Sequence, residues 1–327
     1  MRRAIVVGIS VLVSTLFLWL ALRDVPLAQV AEGIQGADLT WIVVSIFGVF
    51  GAQWTRTVRW RGLLDNRIPM TDAFHILNIT MLLNQIPLRM GEVARSLLAT
   101  RSGVPIVTAA TSIVVERLID VIAVVLLLAF SLSRLPDAPP LVGHTAALFG
   151  AAAVIGFVAL LALARYPAFA HRLLAAVETR LPFLKRINLI RRFEEILDGL
   201  RPLTQSRRAA HAIGWTVIAW SFSLLTFYAL ERALDVQAVD LLLASMIGVP
   251  LVAFSIAIPV TVAGLGPFQG AVRVTGEAVG MSAIQSTALG FLFHGITVLC
   301  YAAMGVIGLL AQGVSLRSVL STPQEQA

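Results

Sequence analysis

Six apolar runs, each long enough to cross a lipid bilayer as an α-helix, constrain most strongly what this chain can fold into. A helix rises about 1.5 Å per residue, so roughly 20 apolar residues span the hydrocarbon core. Of the 327 residues, 58% are hydrophobic and 13% are charged, whereas soluble domains carry about 25% charged residues. The sequence therefore predicts an all-α polytopic membrane protein. The runs cover residues 4–22, 40–58, 105–132, 143–164, 211–230 and 284–312.

Two further apolar segments, 71–101 and 241–280, are interrupted by residues that break helices. Proline lacks an N–H group and bends or ends a helix, and glycine permits a turn or a close backbone approach. Irregular backbone at membrane depth is tolerated only against protein or a water-filled cavity. We therefore predict two re-entrant hairpins that do not cross. The helix-breaking residues are Pro87 and Gly91 in the first segment, and Pro259, Gly264 and Gly266 in the second.

The distribution of charge predicts the orientation. The longest polar segment, 165–208, carries ten basic residues against four acidic ones, which is typical of a cytoplasmic loop. Loops 23–39, 133–142 and 231–240 hold one arginine each and are predicted to face outward. These assignments agree only if both broken segments turn back on their own side, which places both termini in the cytoplasm. Segment 165–208 also has the pattern of an amphipathic helix, either in the membrane interface or as a solvated linker.

The resulting order is span, span, broken hairpin, span, followed by the same order upside down. We predict one integral membrane domain over 1–327, with a first repeat at 1–132 and an inverted second repeat at 143–312. The basic segment 165–208 is then a cytoplasmic insertion in the second repeat. Broken helices at matching places in two inverted halves are typical of transporters, whose site lies between the halves.

Composition and motifs argue against several classes of protein. A net charge of +7 on loops between apolar runs indicates contact with anionic lipid rather than nucleic acid. The single cysteine, Cys300, excludes an intrachain disulfide, and the five histidines lack metal-ligand spacing. The chain has no Walker loop, no dinucleotide fingerprint and no nucleophile elbow. We predict no metal, no cofactor and no nucleic-acid partner, and an enzyme is the less favoured class.

The densest polar cluster lies in the first broken segment and contains Asn84, Arg89, Glu92 and Arg95. Two arginines and an asparagine beside a helix N-terminus are suited to binding a phosphate group. Glu92 occupies the first turn of the following helix, where a carboxylate is favourable, and it can pair with Arg95 three residues later. The alternative is a purely structural break whose arginines extend to the cytoplasmic surface.

A second cluster, Glu116-Arg117-x-x-Asp120, lies within an apolar run. Glu116 is roughly 16 Å into its span, and Glu116 and Asp120 share one helix face. Ionisable residues at that depth require partners and are functional candidates. We expect Arg117 to neutralise one carboxylate and Arg89 or Arg95 to neutralise the other. A structural clamp between hairpin and span is the open alternative.

The second half offers weaker candidates. Gln269 follows the second break and is a candidate hydrogen-bond partner of a headgroup, while Arg273 and Glu277 are predicted to pair at i, i+4. His294 is the one residue of the last span that can change charge near neutral pH, although packing alone also explains it. The group Arg56, Arg59, Trp60 and Arg61 ends the second span and is predicted to anchor it at the membrane edge.

Taken together, four motifs resemble the lysylphosphatidylglycerol synthase/flippase transmembrane family over nearly the whole chain. The resemblance implies a membrane domain that moves or presents a phospholipid or another lipid-linked headgroup. The chain ends at Ala327, so we expect it to lack the soluble aminoacyl-transferase domain. Relatives tend to have glutamate at the position of Gln269 and often arginine in the last span, where this chain has His294. The motifs are RxxRW (56–60), NxxPxRxGExxR (84–95), ERLxD (116–120) and a late P…GxG segment (259–266).

The sequence therefore predicts a flippase-like transporter or binder of a phospholipid or polyprenyl-linked headgroup in a prokaryotic inner membrane. A membrane-embedded lipid-modifying enzyme is a second hypothesis, with Glu116 or Asp120 as its acid or base. A third hypothesis is a partner subunit of a glycosyltransferase or a lipid-synthesis enzyme. Whether the chain forms homo-oligomers is left open.

Overall fold

Twelve α-helices make up the part of the chain that the computed structural model describes, and this part contains no β-strand. The described residues are 2–23, 25–86, 90–135, 140–180, 197, 200–237, 240–256 and 261–315. The helices are α1 (Arg2–Leu22), α2 (Leu27–Gln35), α3 (Leu39–Leu63), α4 (Met70–Leu83), α5 (Gly91–Thr100), α6 (Ile106–Leu132), α7 (Pro140–Arg165), α8 (Pro167–Arg180), α9 (Ser206–Ala233), α10 (Leu241–Ser255), α11 (Pro267–Val279) and α12 (Ala283–Ala311).

Six long helices, α1, α3, α6, α7, α9 and α12, coincide with the six predicted apolar runs. Among the described residues, three helical stretches are long enough and apolar enough to cross a membrane, namely Ala147–Arg165, Ser206–Ala233 and Ala283–Ala311. The helices α3 and α6 are 25 and 27 residues long but carry several charged side chains. The structure is consistent with a helical membrane protein.

Four shorter helices flank the two predicted breaks. The helices α4 and α5 have 14 and 10 residues, and α10 and α11 have 15 and 13. At about 1.5 Å per residue, each is shorter than the roughly 30 Å hydrocarbon core. In each pair, the two helices are separated at the predicted break. Gly91 begins α5 and Gly266 precedes α11, while Pro87 and Pro259 lie outside the described residues.

Glycine at each break allows a close approach of backbones. A Cβ atom on Gly91 would lie 2.2 Å from the carbonyl oxygen of Thr80, so the start of α5 packs directly against the end of α4. Gly266 has φ 96°, and a Cβ there would lie 2.7 Å from the carbonyl oxygen of Ser14 in α1. The second break is therefore packed against α1, and the Val262 N–H donates to Ser14 Oγ at 3.0 Å.

The two breaks meet at the centre of the molecule. The backbone N–H of Ala263 in the second break donates to the carbonyl oxygen of Gln85 in the first, at 3.1 Å. Next to the second break, Arg273 Nη1 donates to the carbonyl oxygen of Ala21, at 2.8 Å, and caps the end of α1. Arg273 also forms the predicted pair with Glu277, at 3.4 Å.

The predicted loops contain additional helices. Loop 23–39 contains the short helix α2, whose Val30 packs in an apolar cluster with Ala288 of α12. In segment 165–208, α8 is helical as predicted, with Phe169 and Leu173 exposed on it. Its position relative to a membrane stays a prediction. Residues 181–196, 198 and 199 lie outside the described part of the chain.

Candidate functional site

A buried arginine, Arg59, joins three helices at the centre of the site. Its Nη1 and Nη2 donate to the two carboxylate oxygens of Asp120, at 2.7 and 3.0 Å. Its Nε donates to Glu116 Oε1 at 3.4 Å, and Nη1 also donates to Thr216 Oγ1 at 2.8 Å. Buried charges are stable only when they are paired and hydrogen-bonded. Arg59 therefore ties α3 to α6 and α9.

A second buried arginine, Arg95 of α5, is only partly satisfied. Its Nη1 lies 2.7 Å from Glu116 Oε2, and the side chain is 2% exposed. The guanidinium lies over the Trp60 ring, 4.0 Å from its centroid, and Trp60 Nε1 donates to Ser112 Oγ at 3.0 Å. Among the residues that the structure describes, none accepts a hydrogen bond from Arg95 Nε or Nη2. Unused donors on a buried cation are energetically costly and point to a missing acceptor.

Glu92 pairs with Arg117 of α6, and Asn84 Nδ2 lies 3.5 Å from the same oxygen of Glu92, Oε1. Asn84 Oδ1 and Glu92 Oε2 are buried and have no hydrogen-bond partner among the described residues. The predicted pair between Glu92 and Arg95 is wrong, because α6 supplies a partner for each of them. Arg117 binds Glu92, while Arg95 extends over Trp60 toward Glu116.

The partners of the two carboxylates were predicted in part. The expectation that Arg95 neutralises Glu116 is confirmed. The expectation that Arg117 neutralises the other carboxylate is wrong, because Arg59 binds Asp120. The interpretation of Arg59 and Trp60 as membrane-edge anchors is also wrong, since both side chains are buried in the protein.

These side chains line a cavity of about 280 Å³ between the two breaks. Small-molecule pockets begin at roughly 300 Å³, so the cavity is suited to a headgroup-sized polar group. Four arginines and two carboxylates line it, which leaves a formal charge of +2. Apolar side chains from α4, α6, α10 and α12 complete the wall. The charged residues are Arg56, Arg59, Arg95, Arg117, Glu116 and Asp120.

A neutral hydrogen-bond chain lies beside the second break. The Gly266 N–H donates to Gln269 Oε1 at 2.8 Å, and Gln269 Nε2 lies 2.9 Å from His294 Nδ1. His294 Nε2 lies 3.0 Å from the carbonyl oxygen of Ala263. Since a backbone N–H only donates and a carbonyl only accepts, Gln269 donates to His294 and His294 donates to Ala263. The two positions at which the chain departs from the expected family pattern thus bind each other.

The structure brings most predicted site residues together. Gln269 does not line the cavity and has both ends of its amide engaged within the protein, and Arg89 lies outside the described residues. Glu92 adjoins the cavity through Asn84 and Arg117. The sequence analysis assigned Arg56 and Arg59 to the membrane edge, whereas both line the cavity. The signal that could have found them is the pair of buried carboxylates in α6, which require cations from neighbouring spans. The predicted residues that line the cavity are Asn84, Arg95, Glu116, Arg117, Asp120, Gly264 and His294.

A helical bundle with a buried, arginine-rich cavity between two helix breaks defines a multi-pass membrane protein with an internal polar site. The chain belongs to the family described as the lysylphosphatidylglycerol synthase TM region, which matches residues 7–305. The resemblance seen in the four motifs is therefore confirmed, and it implies a lipid-related function in a membrane. No curated protein matches the chain.

Proposed function

We propose that this protein binds the phosphate-bearing headgroup of a membrane lipid in the central cavity and moves it between leaflets. The observation that carries the proposal is Arg95, a buried cation whose Nε and Nη2 have no acceptor among the described residues, in a cavity of formal charge +2. Arginine binds phosphate through several parallel hydrogen bonds. A phosphate group would accept from both Nε and Nη2 and remove the unsatisfied donors.

The proposal extends to the rest of the headgroup, because two buried oxygen acceptors near Arg95 have no donor among the described residues. Asn84 Oδ1 and Glu92 Oε2 lack donors, and Glu92 lies one helical turn from Arg95. A headgroup with a hydroxyl or ammonium group next to its phosphate would satisfy both. Phosphatidylglycerol-like lipids and polyprenyl-linked sugars have this arrangement of groups.

The proposed mechanism uses the predicted topology. The six long helices span a prokaryotic inner membrane, and α4–α5 and α10–α11 are re-entrant hairpins, with both termini cytoplasmic. The halves 1–132 and 143–312 are inverted repeats that rock about the cavity and expose it to one leaflet at a time. The short lengths of the four broken helices and the basic segment 165–208 support this arrangement.

The hydrogen bonds of the carboxylates argue against the enzyme alternative. Each oxygen of Glu116 faces an arginine nitrogen, one of Arg59 and one of Arg95. Both oxygens of Asp120 accept from Arg59. A general acid or base needs a carboxyl group that is free to exchange a proton with the substrate. We therefore favour binding and translocation over lipid modification.

Lipid exchange in proteoliposomes tests the proposal. Fluorescent phosphatidylglycerol in the inner leaflet is followed with a membrane-impermeant quencher for wild type, Arg95→Ala and Arg232→Ala. The matched control, Arg232, also stacks on a tryptophan, 5.1 Å from the Trp41 ring centroid, but does not line the cavity. We expect wild type and Arg232→Ala to exchange lipid equally and Arg95→Ala to behave like empty liposomes.

Two results would contradict the proposal. Exchange by folded Arg95→Ala at the wild-type rate would exclude the cavity as the site. Exchange by wild type no faster than by empty liposomes, for phosphatidylglycerol and for lipid-linked sugar analogues, would exclude translocation. The partner-subunit hypothesis would then move ahead, with glycosyltransferases and lipid-synthesis enzymes as the partners to examine.

A further inference from the structure

The wall of the cavity continues around α6 from the interior of the protein to its outer face. A helix turns by about 100° per residue, so positions on α6 can be ordered around its axis from Glu116. Asp120, Arg117 and Val121 follow at about 40°, 100° and 140°. All four residues line the cavity. The cavity therefore covers more than a third of the circumference of this helix and is not confined to its inward face.

Exposure is low at the inner end of this path and high at its outer end. The side chain of Glu116 is 4% exposed, that of Asp120 15% and that of Arg117 50%. Val121 is 51% exposed. The cavity thus opens sideways past Arg117 and Val121, and the pair between Arg117 and Glu92 stands beside this opening.

The opposite edge of the opening is the end of α10. Phe254, which is 39% exposed, lines the cavity together with Ala253 and Ile256. Phe254 lies in the last turn of α10, which ends at Ser255. Apolar side chains of two different helices therefore frame a gap that leads to the buried charges.

The surface outside this gap is apolar. Val114 and Val107 lie about 160° and 180° around α6 from Glu116, in line with Val121, and both are exposed. Exposed aliphatic side chains along a membrane helix face lipid rather than water. A soluble anion has no acyl chains, so it would not need an opening toward the lipid. A membrane lipid needs such an opening, because its acyl chains must stay in the bilayer while its headgroup contacts the arginines.

We infer that the gap between α6 and α10 is a lateral mouth for a membrane lipid. The acyl chains stay in the bilayer along Val121 and Phe254, while the headgroup passes Arg117 and reaches Arg95. This inference rests on the proposed headgroup site and adds the subsite that holds the acyl chain. It also assigns the ligand to the lipid phase rather than to the aqueous phase.

Photocrosslinking in nanodiscs tests the position of the acyl chain. The probe is phosphatidylglycerol with a diazirine on one acyl chain, and the crosslinked residues are mapped by mass spectrometry. We expect labelling at 121–124 and 253–256 that excess unlabelled phosphatidylglycerol removes. Labelling at Val107 and Val114, which contact bulk lipid, serves as the matched control and should persist. Equal persistence at Val121 and at Val114 would overturn the lateral mouth.

A second experiment fills the mouth with bulky side chains and measures lipid exchange. Val121→Trp and Phe254→Trp fill the gap, whereas Val114→Trp adds the same bulk to the lipid-facing side of the same helix. We expect lipid exchange to fall about tenfold in the first two variants and to stay at the wild-type rate in the third. Binding of soluble glycerol 3-phosphate to Val114→Trp should match wild type, because Val114 does not line the cavity.

The two arms separate failure of the mouth from failure of the headgroup site. If glycerol 3-phosphate binding depends on Arg95 but neither crosslinking nor exchange distinguishes Val121 from Val114, the mouth is wrong and the ligand comes from water. If glycerol 3-phosphate binding does not depend on Arg95, the proposed function itself fails. Even in that case, labelling of Val121 that excess unlabelled phosphatidylglycerol removes would place an acyl chain in the gap.

Discussion

Arg59 and Asp120 form a buried two-point contact, with Nη1 and Nη2 each donating to a different carboxylate oxygen at 2.7 and 3.0 Å. Trp220 Nε1 approaches the same carboxylate at 3.3 Å, so Asp120 is held from α3 and from α9. Each of the three nitrogens of the Arg59 guanidinium donates to a side chain of the protein. Arg59 therefore holds the cavity wall together, whereas Nε and Nη2 of Arg95 have no acceptor among the described residues.

Arg59→Ala should be strongly destabilising. The substitution leaves Asp120 without its main partner in a buried site, and removal of one member of a buried pair typically costs about 3–5 kcal/mol. Thermal unfolding in detergent measures the loss. The control is Arg208→Ala, which breaks a partly exposed pair with Asp65 at 2.7 Å and should cost at most about 1 kcal/mol. Equal stability of the two variants would show that Arg59 is not structural.

Glu116→Gln should strengthen anion binding. The amide keeps the shape of the side chain but raises the formal charge of the cavity lining from +2 to +3, because one of its two carboxylates is lost. It also releases Arg95 from its 2.7 Å ion pair. We expect phosphate to bind about tenfold more tightly, measured by calorimetry at low ionic strength. Weaker binding would mean that Glu116 acts mainly by positioning Arg95.

His294→Arg should destabilise the protein, and a second change, Gln269→Glu, should restore stability. The single variant buries a cation against a neutral amide, whereas the double variant creates a charge pair at the 2.9 Å contact. Residues in direct contact show coupling of about 0.5–3 kcal/mol in such cycles. Thermal unfolding of both single variants and the double variant measures the coupling. Additive effects would contradict a direct interaction between the two positions.

Gly91→Ala should weaken both the fold and lipid exchange. The added methyl group would lie 2.2 Å from the carbonyl oxygen of Thr80, so α5 must move away from α4 and take Arg95 with it. Overpacking of this kind costs about 1–3 kcal/mol. Gly156→Ala in α7 is the control, because nothing lies within 4 Å of its added atom. A wild-type unfolding temperature and exchange rate for Gly91→Ala would refute this account.

Cysteine labelling tests whether α4 and α5 turn back on the same side. Asn66 precedes this pair and Arg101 follows it, and both are exposed. In a Cys300→Ser background, Asn66→Cys and Arg101→Cys should both react with an impermeant maleimide from the cytoplasmic side. Labelling of the two positions from opposite sides would show that the pair crosses the membrane and would reverse the orientation of everything after it.

The local features of the fold were predictable because they depend on local physics. Long apolar runs must form helices in lipid, and the combination of proline and glycine at 87–91 and at 259–266 favours an interruption of the helix. The joint presence of Asn84, Arg95 and Glu116 at one site was also predictable, because polar groups in an apolar segment must find each other.

The ion pairs between particular charged side chains were not predictable, because they depend on how the helices are placed against one another. Arg59 lies 20 residues after the start of α3, or about 30 Å along its axis, so counting along the sequence places it at the membrane edge. Packing of α3 beside α6 instead brings it to the level of Glu116 and Asp120. Helix α6 carries two carboxylates and only one arginine. This difference was the available sign that a cation from another span pairs with it.

The backbone hydrogen bond from Ala263 to Gln85 joins the two breaks, and its strength has a consequence for motion. A single such bond contributes a net of about 1 kcal/mol, which corresponds to a ratio of about five between its closed and open populations. Thermal energy is therefore enough to break this contact repeatedly without unfolding the helices on either side of it. The two breaks are thus joined by a contact that opens and closes reversibly, and a ligand in the cavity would need only a small difference in binding free energy to favour one of the two states.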